Sequence, residues 1–84
     1  MNPHKRLRWA CRRGMLELDL VLLPFCDEAF SHLSKPEQKL FEDLLVEADQ
    51  DLYAWLLAFQ PCEDARFHPL LLKIRAHAER HLAA

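Results

Sequence analysis

The sequence predicts an all-α protein, one domain of about five short helices, and three features of its 84 residues carry that reading. Glycine occurs once, threonine is absent, and Val21, Val46 and Ile74 are the only Val or Ile, so the residues that favour strands are scarce. Leu, Ala, Glu, Lys, Arg and Gln, all good helix formers, dominate instead. Apolar residues make up 51% of the chain, ample for a core at this size and too many for a disordered segment. No repeat and no linker rich in Gly, Ser or Pro interrupts it, so residues 1–84 read as a single module.

Punctuation places the helices. The first runs from Pro3 to Arg13, with Leu7, Ala10 and Cys11 at helical spacing, and stops at Gly14, the residue best able to adopt a left-handed terminal conformation. A second, from Met15 to Phe30, is apolar over a broad face, and Pro24 in its middle is expected to bend or split it. Ser34-Lys35-Pro36-Glu37 matches a capping box, in which Ser34 and Glu37 each satisfy a free backbone N–H of the other. From there Leu40, Phe41, Leu44 and Leu45 form the buried stripe of a third helix ending near Ala48. Asp49 or Asp51 then caps a fourth through Leu52, Tyr53, Leu56 and Phe59, closed by Pro61. The last helix carries Leu71, Ile74, Ala78 and Leu82 on one face and begins either at Pro69 or near Glu63 with a kink at the proline.

Charge is uneven. Residues 1–14 hold Lys5, Arg6, Arg8, Arg12 and Arg13 with no acid, leaving six basic residues against all thirteen acids in the remainder. Three cysteines without C-x-x-C spacing, and no signal-like opening, suit a reducing cytosol. The longest apolar run, Leu20 to Cys26, is too short to cross a bilayer. A single glycine cannot build a phosphate loop or a dinucleotide fingerprint, so the chain is expected to hold no cofactor of its own. His77 and His81 lie four apart but lack a third ligand, and read as solvated histidines beside Arg80 near a helix end rather than a metal site. Nucleophilic catalysis needs a Ser or Cys with a positioned base, and none of the three cysteines has a His in a context that suggests one, which argues against a classical hydrolase. The acidic stretch Glu42, Asp43, Glu47, Asp49, Asp51 reads as a docking face or, more simply, a solvated helix surface. Trp9 and Trp55 read as core anchors, with Trp9 placed to serve a binding surface as well.

One segment stands apart: Trp9-Ala10-Cys11-Arg12-Arg13-Gly14-Met15-Leu16-Glu17-Leu18-Asp19 crowds two arginines, the only glycine and two acids around one helix junction. Helix-end chemistry explains each residue but not their clustering. The basic first helix leaves open a nucleic-acid-binding module or a generic protein-interaction module, although Glu17 and Asp19 would face phosphate unfavourably.

The same segment resembles the Arg-Gly-Met-x-Glu-x-Asp signature of the SdhE family of FAD assembly factors. Asp51-Leu52-Tyr53-Ala54-Trp55-Leu56 and Leu22 to Phe25 resemble two further motifs of that family, and the likeness spans nearly the whole chain, weakening after Pro61. The resemblance implies a non-catalytic cytoplasmic factor, monomeric when free. Such a factor binds the flavoprotein subunit of succinate dehydrogenase, or of fumarate reductase, and promotes covalent attachment of FAD to a histidine of that subunit. The FAD would be carried by the partner, with no nucleic acid and no membrane insertion involved. By position, Arg13, Gly14, Glu17 and Asp19, with Arg12 and Trp9 beside them, carry over as the partner-binding residues, while Met15 and Leu16 pack the junction.

Overall fold

Ser34 accepts the backbone N–H of Glu37 at 3.3 Å and the Glu37 carboxylate accepts the N–H of Ser34 at 2.9 Å, so the capping box closes as its sequence demands. Lys73 also donates to Glu37, and that bond together with the backbone N–H and the hydroxyl of Ser34 beside the carboxylate pushes its pKa down to about 2. The computed structural model describes residues 3–83. It contains α1 (Pro3–Cys11), α2 (Leu16–Glu28), α3 (Lys35–Leu44), α4 (Asp49–Leu56) and α5 (His68–Ala83), with single 3₁₀ turns at Phe30–His32 and Ala65–Phe67. Among the described residues there is no strand. None of these helices is long and apolar enough to cross a membrane.

Helix α2 is central, packing against α1, α4 and α5, which explains its apolar composition. It contributes Leu18, Val21, Leu22, Phe25 and Cys26 to the core; Cys11 closes the core from α1, Phe41 and Leu44 from α3, Leu52 and Leu56 from α4, and Leu70, Leu71 and Ile74 from α5. Phe25 and Phe41 pack with ring centroids 5.4 Å apart. Cys11 and Cys26 meet where α1 crosses α2, and that thiol contact together with burial pushes the Cys11 pKa up, leaving it an unreactive core residue.

Several expectations are corrected. Pro24 does not split α2: the helix runs on through it, and the carbonyl deprived of a partner belongs to Leu20, an exposed residue within reach of water. Helix α3 stops at Leu44 rather than Ala48, because Leu45, Val46 and Glu47 turn back onto Phe41, Asp43 and Leu44 carbonyls. The N-cap of α4 is Ala48, with Asp49 and Asp51 in the first turn. Phe59 lies beyond the helix with φ +54° and is 68% exposed, and Leu82 is also exposed. Pro69 sits in the first turn of α5, so that helix begins there and has no kink to explain. His77 is buried rather than solvated: one ring nitrogen lies 2.9 Å from the Glu28 carboxylate and its ring stands edge-on to Phe25.

Candidate functional site

Helix α1 ends at Cys11, and the chain must turn within four residues to enter α2 at Leu16. Gly14 makes that turn with φ +82°, beyond the range that L side chains accept readily. A Cβ built on Gly14 would meet nothing within 4 Å, so the space above it is open.

Two side chains of the cluster fix the turn from inside. The Arg13 guanidinium lies across the junction with 16% of its side chain exposed. It donates to Asp49 at 2.6 Å, and to the carbonyls of Leu45 at 2.8 Å, Glu47 at 3.0 Å and Ala10 at 3.0 Å. These carbonyls end α1 and line the α3–α4 turn, where no helical N–H is left to satisfy them. Asp19, in the first turn of α2, accepts the backbone N–H of Arg13 at 2.8 Å and fixes the approach of the chain to the glycine. One arginine thus ties three segments together, and one aspartate sets its backbone.

The rest of the cluster points outward. Arg12, Gly14 and Glu17 are exposed, and among the described residues neither Arg12 nor Glu17 has a side-chain partner. Trp9 is 74% exposed, which corrects its reading as a core anchor: Leu7 and Cys11 occupy the inner face of α1 and leave Trp9 on the outer one. Trp55 is half-buried, tilted against Phe67 at 6.3 Å. Met15 packs on the core as expected, whereas Leu16 is 66% exposed and shares its side of α2 with the exposed Leu20. A concavity of about 680 Å³ opens beside this surface, lined among the described residues by Lys5, Arg6, Arg8, Trp9 and Arg12.

The structure therefore brings all six predicted site residues to one junction, two as braces and four as surface. Sequence reasoning assigned Leu16 to packing and did not single out Leu20, although their spacing of four on the face opposite Leu18 and Leu22 was a signal that both are exposed. It also missed Asp49 as the brace for Arg13, for which a separation of 36 residues offers no local signal. Among the described residues, no group of three His, Cys, Asp or Glu side chains is arranged to hold a metal ion. The junction offers hydrogen-bonding groups, exposed apolar surface and an accessible backbone, which is the equipment of a protein contact.

Residues 5–78 match the family Sdh5, described as flavinator of succinate dehydrogenase. Curated relatives carry the name FAD assembly factor SdhE. The chain is 48% identical to that of Colwellia psychrerythraea over 66 residues, 79% of this chain and 72% of the relative. It is 52% identical to that of Idiomarina loihiensis over 64 residues, 76% and 71% of the two chains. To that of Vibrio cholerae it is 47% identical over 72 residues, 86% and 84%. With a match from the basic face of α1 to the last turns of α5, the chain belongs to the Sdh5 family of succinate dehydrogenase flavinators.

Proposed function

We propose that the chain is an FAD assembly factor that binds the flavoprotein subunit of succinate dehydrogenase, or of the related fumarate reductase, and promotes covalent attachment of FAD to a histidine of that subunit. What carries the reading is the family match together with a junction whose braces, Arg13 and Asp19, hold Arg12, Gly14, Leu16 and Glu17 outward. The flavin and its acceptor histidine both belong to the partner. A factor that supplies neither acts by holding the partner in a geometry where histidine nitrogen and flavin methyl carbon stand at attack distance. Its role is that of a conformational chaperone rather than an enzyme, working in the cytoplasm without a cofactor of its own.

In this reading Gly14 lets a partner segment approach the backbone without meeting a side chain, Glu17 engages a partner donor, and Trp9 and Leu16 supply apolar contact. Deleting the factor and measuring in-gel covalent flavin fluorescence of the flavoprotein subunit tests the proposal. The expected result is a strong loss of signal, restored by the wild-type chain and not by Glu17→Ala. An unchanged signal, in cells shown to have no second assembly route, would overturn it.

A further inference from the structure

Five of the eleven cations of this molecule pair with an acid. Arg8 pairs with Asp27, Arg13 with Asp49, Lys39 with Asp43, Arg66 with Asp64 and Lys73 with Glu37. Six others have no acidic partner among the described residues: Lys35, Arg75 and Arg80 are spread over α3 and α5, while Lys5 and Arg6 on α1 and Arg12, the residue that follows it, are exposed and stand together around the exposed Trp9. Lys5, Trp9 and Arg12 follow a four-then-three helical spacing, which Arg12 continues one residue past α1 by donating its N–H to the Trp9 carbonyl at 3.1 Å, and Arg6 lies three residues before the tryptophan. The first fourteen residues contain no acid, while the thirteen acids elsewhere leave the body of the molecule negative.

We infer that this stripe is an electrostatic docking element for an acidic segment of the flavoprotein partner, an inference that rests on the function proposed above. Three unpaired cations flanking an exposed indole fit carboxylates on either side of an apolar side chain. Lys5 and Arg12 lie seven residues apart, about 10 Å along a helix, so the matching carboxylates are two helical turns apart or about three residues apart in an extended strand. The stripe runs directly into the Arg13–Gly14 turn, so capture by α1 delivers the partner to the junction. Nucleic acid is the poorer fit, because the negative body and Glu17 repel phosphate while a short acidic peptide engages only the stripe.

The test is association of the full chain with the purified flavoprotein subunit, followed by stopped flow as ionic strength is raised. Wild type is compared with the triple variant Lys5→Glu, Arg6→Glu, Arg12→Glu, and with Trp9→Ala. Leu7 and Cys11 hold α1 on the core, so the variants should fold, and melting by circular dichroism checks that. The charge-reversed chain should associate about tenfold or more slowly at low salt and approach wild type near about 0.5 M salt, where screening is short-ranged. Trp9→Ala should instead raise the dissociation rate. Equal rates and equal salt dependence for wild type and the triple variant would overturn the inference and leave the proposed function standing. A wild-type chain that does not bind the flavoprotein would overturn the proposed function and the inference with it. Tighter retention on duplex DNA than on the flavoprotein at matched salt would reassign the stripe to nucleic acid.

Discussion

Two reversals of the chain pass through left-handed backbone and are filled in opposite ways: Gly14 between α1 and α2 at φ +82°, and Phe59 after α4 at φ +54°. Each is braced by an arginine. Arg13 gathers Asp49 and three carbonyls. Arg75 donates to the Trp55 carbonyl at the end of α4, from Nε at 3.0 Å, and lies 5.2 Å over the Phe59 ring. The Phe59 turn teaches that this fold tolerates a large side chain in left-handed backbone, at about 1–2 kcal/mol, when a cation supports it. The Gly14 turn has open space where a Cβ would stand and no side chain to fill it. Its more extreme φ favours glycine there, and among the described residues nothing occupies the space above it.

The comparison breaks most easily at the braces. Arg13→Met leaves three carbonyls and Asp49 without their donor in a mostly covered site, and should destabilise the protein by about 3 kcal/mol. Arg75→Met abandons one carbonyl and one ring contact, and should cost about 1 kcal/mol. Urea unfolding of the two variants decides the ranking. Equal losses would mean that Arg13 is not the heavier brace and that its inward geometry carries little stability.

At the left-handed positions themselves the expected effects are smaller and differ in sign. Gly14→Ala should lower stability by about 1 kcal/mol through the Cβ penalty, with Asn milder because it tolerates left-handed backbone. Phe59→Gly should be neutral or stabilising by less than about 1 kcal/mol, since relief of strain offsets the lost contact with Arg75. If the space over Gly14 receives a partner, affinity for the flavoprotein falls from Ala through Val to Glu in order of bulk, whatever the melting temperature does. Affinity that merely tracks the fraction folded would reduce Gly14 to a helix cap.

Much of this was written in local sequence. The capping box at Ser34 and Glu37, the break at Gly14 and the proline that opens α5 are all chemistry between residues within a few positions of one another. What escaped depended on distant partners. Asp49 and Asp51 look alike as caps for α4, and only the fold brings the Arg13 guanidinium to Asp49 and leaves the capping position to Ala48. Trp9 looks like a core anchor by residue type; its exposure follows from Leu7 and Cys11 being the residues that face α2. Arg13 and Asp19 read as surface because their charges cluster with Arg12 and Glu17, and nothing in the segment says which charges will find partners across the chain.

The smallest expected effect on stability is the most informative about function. Glu17 and Asp19 sit two residues apart in the sequence motif and in the same first turn of α2, yet among the described residues only Asp19 has a bond to make, to the N–H of Arg13 at 2.8 Å. Asp19→Ala removes that bond and should cost about 1 kcal/mol. Glu17→Ala removes an exposed carboxylate with no partner among the described residues, forfeits only a small helix-dipole interaction, and should stay within about 0.5 kcal/mol. If the junction is a contact surface, the ranking inverts for flavinylation. Glu17→Ala should then impair covalent FAD attachment at limiting factor concentration while its melting curve overlays wild type. Asp19→Ala should lose activity only as far as the turn loosens, and should recover with Asn, whose amide oxygen still accepts the Arg13 N–H. Normal flavinylation by Glu17→Ala would take that carboxylate out of the contact and leave the surface to Trp9, Arg12, Gly14 and Leu16. A defect in Asp19→Asn as deep as in Asp19→Ala, at unchanged stability, would show that the charge of Asp19 is used by the partner rather than by the turn.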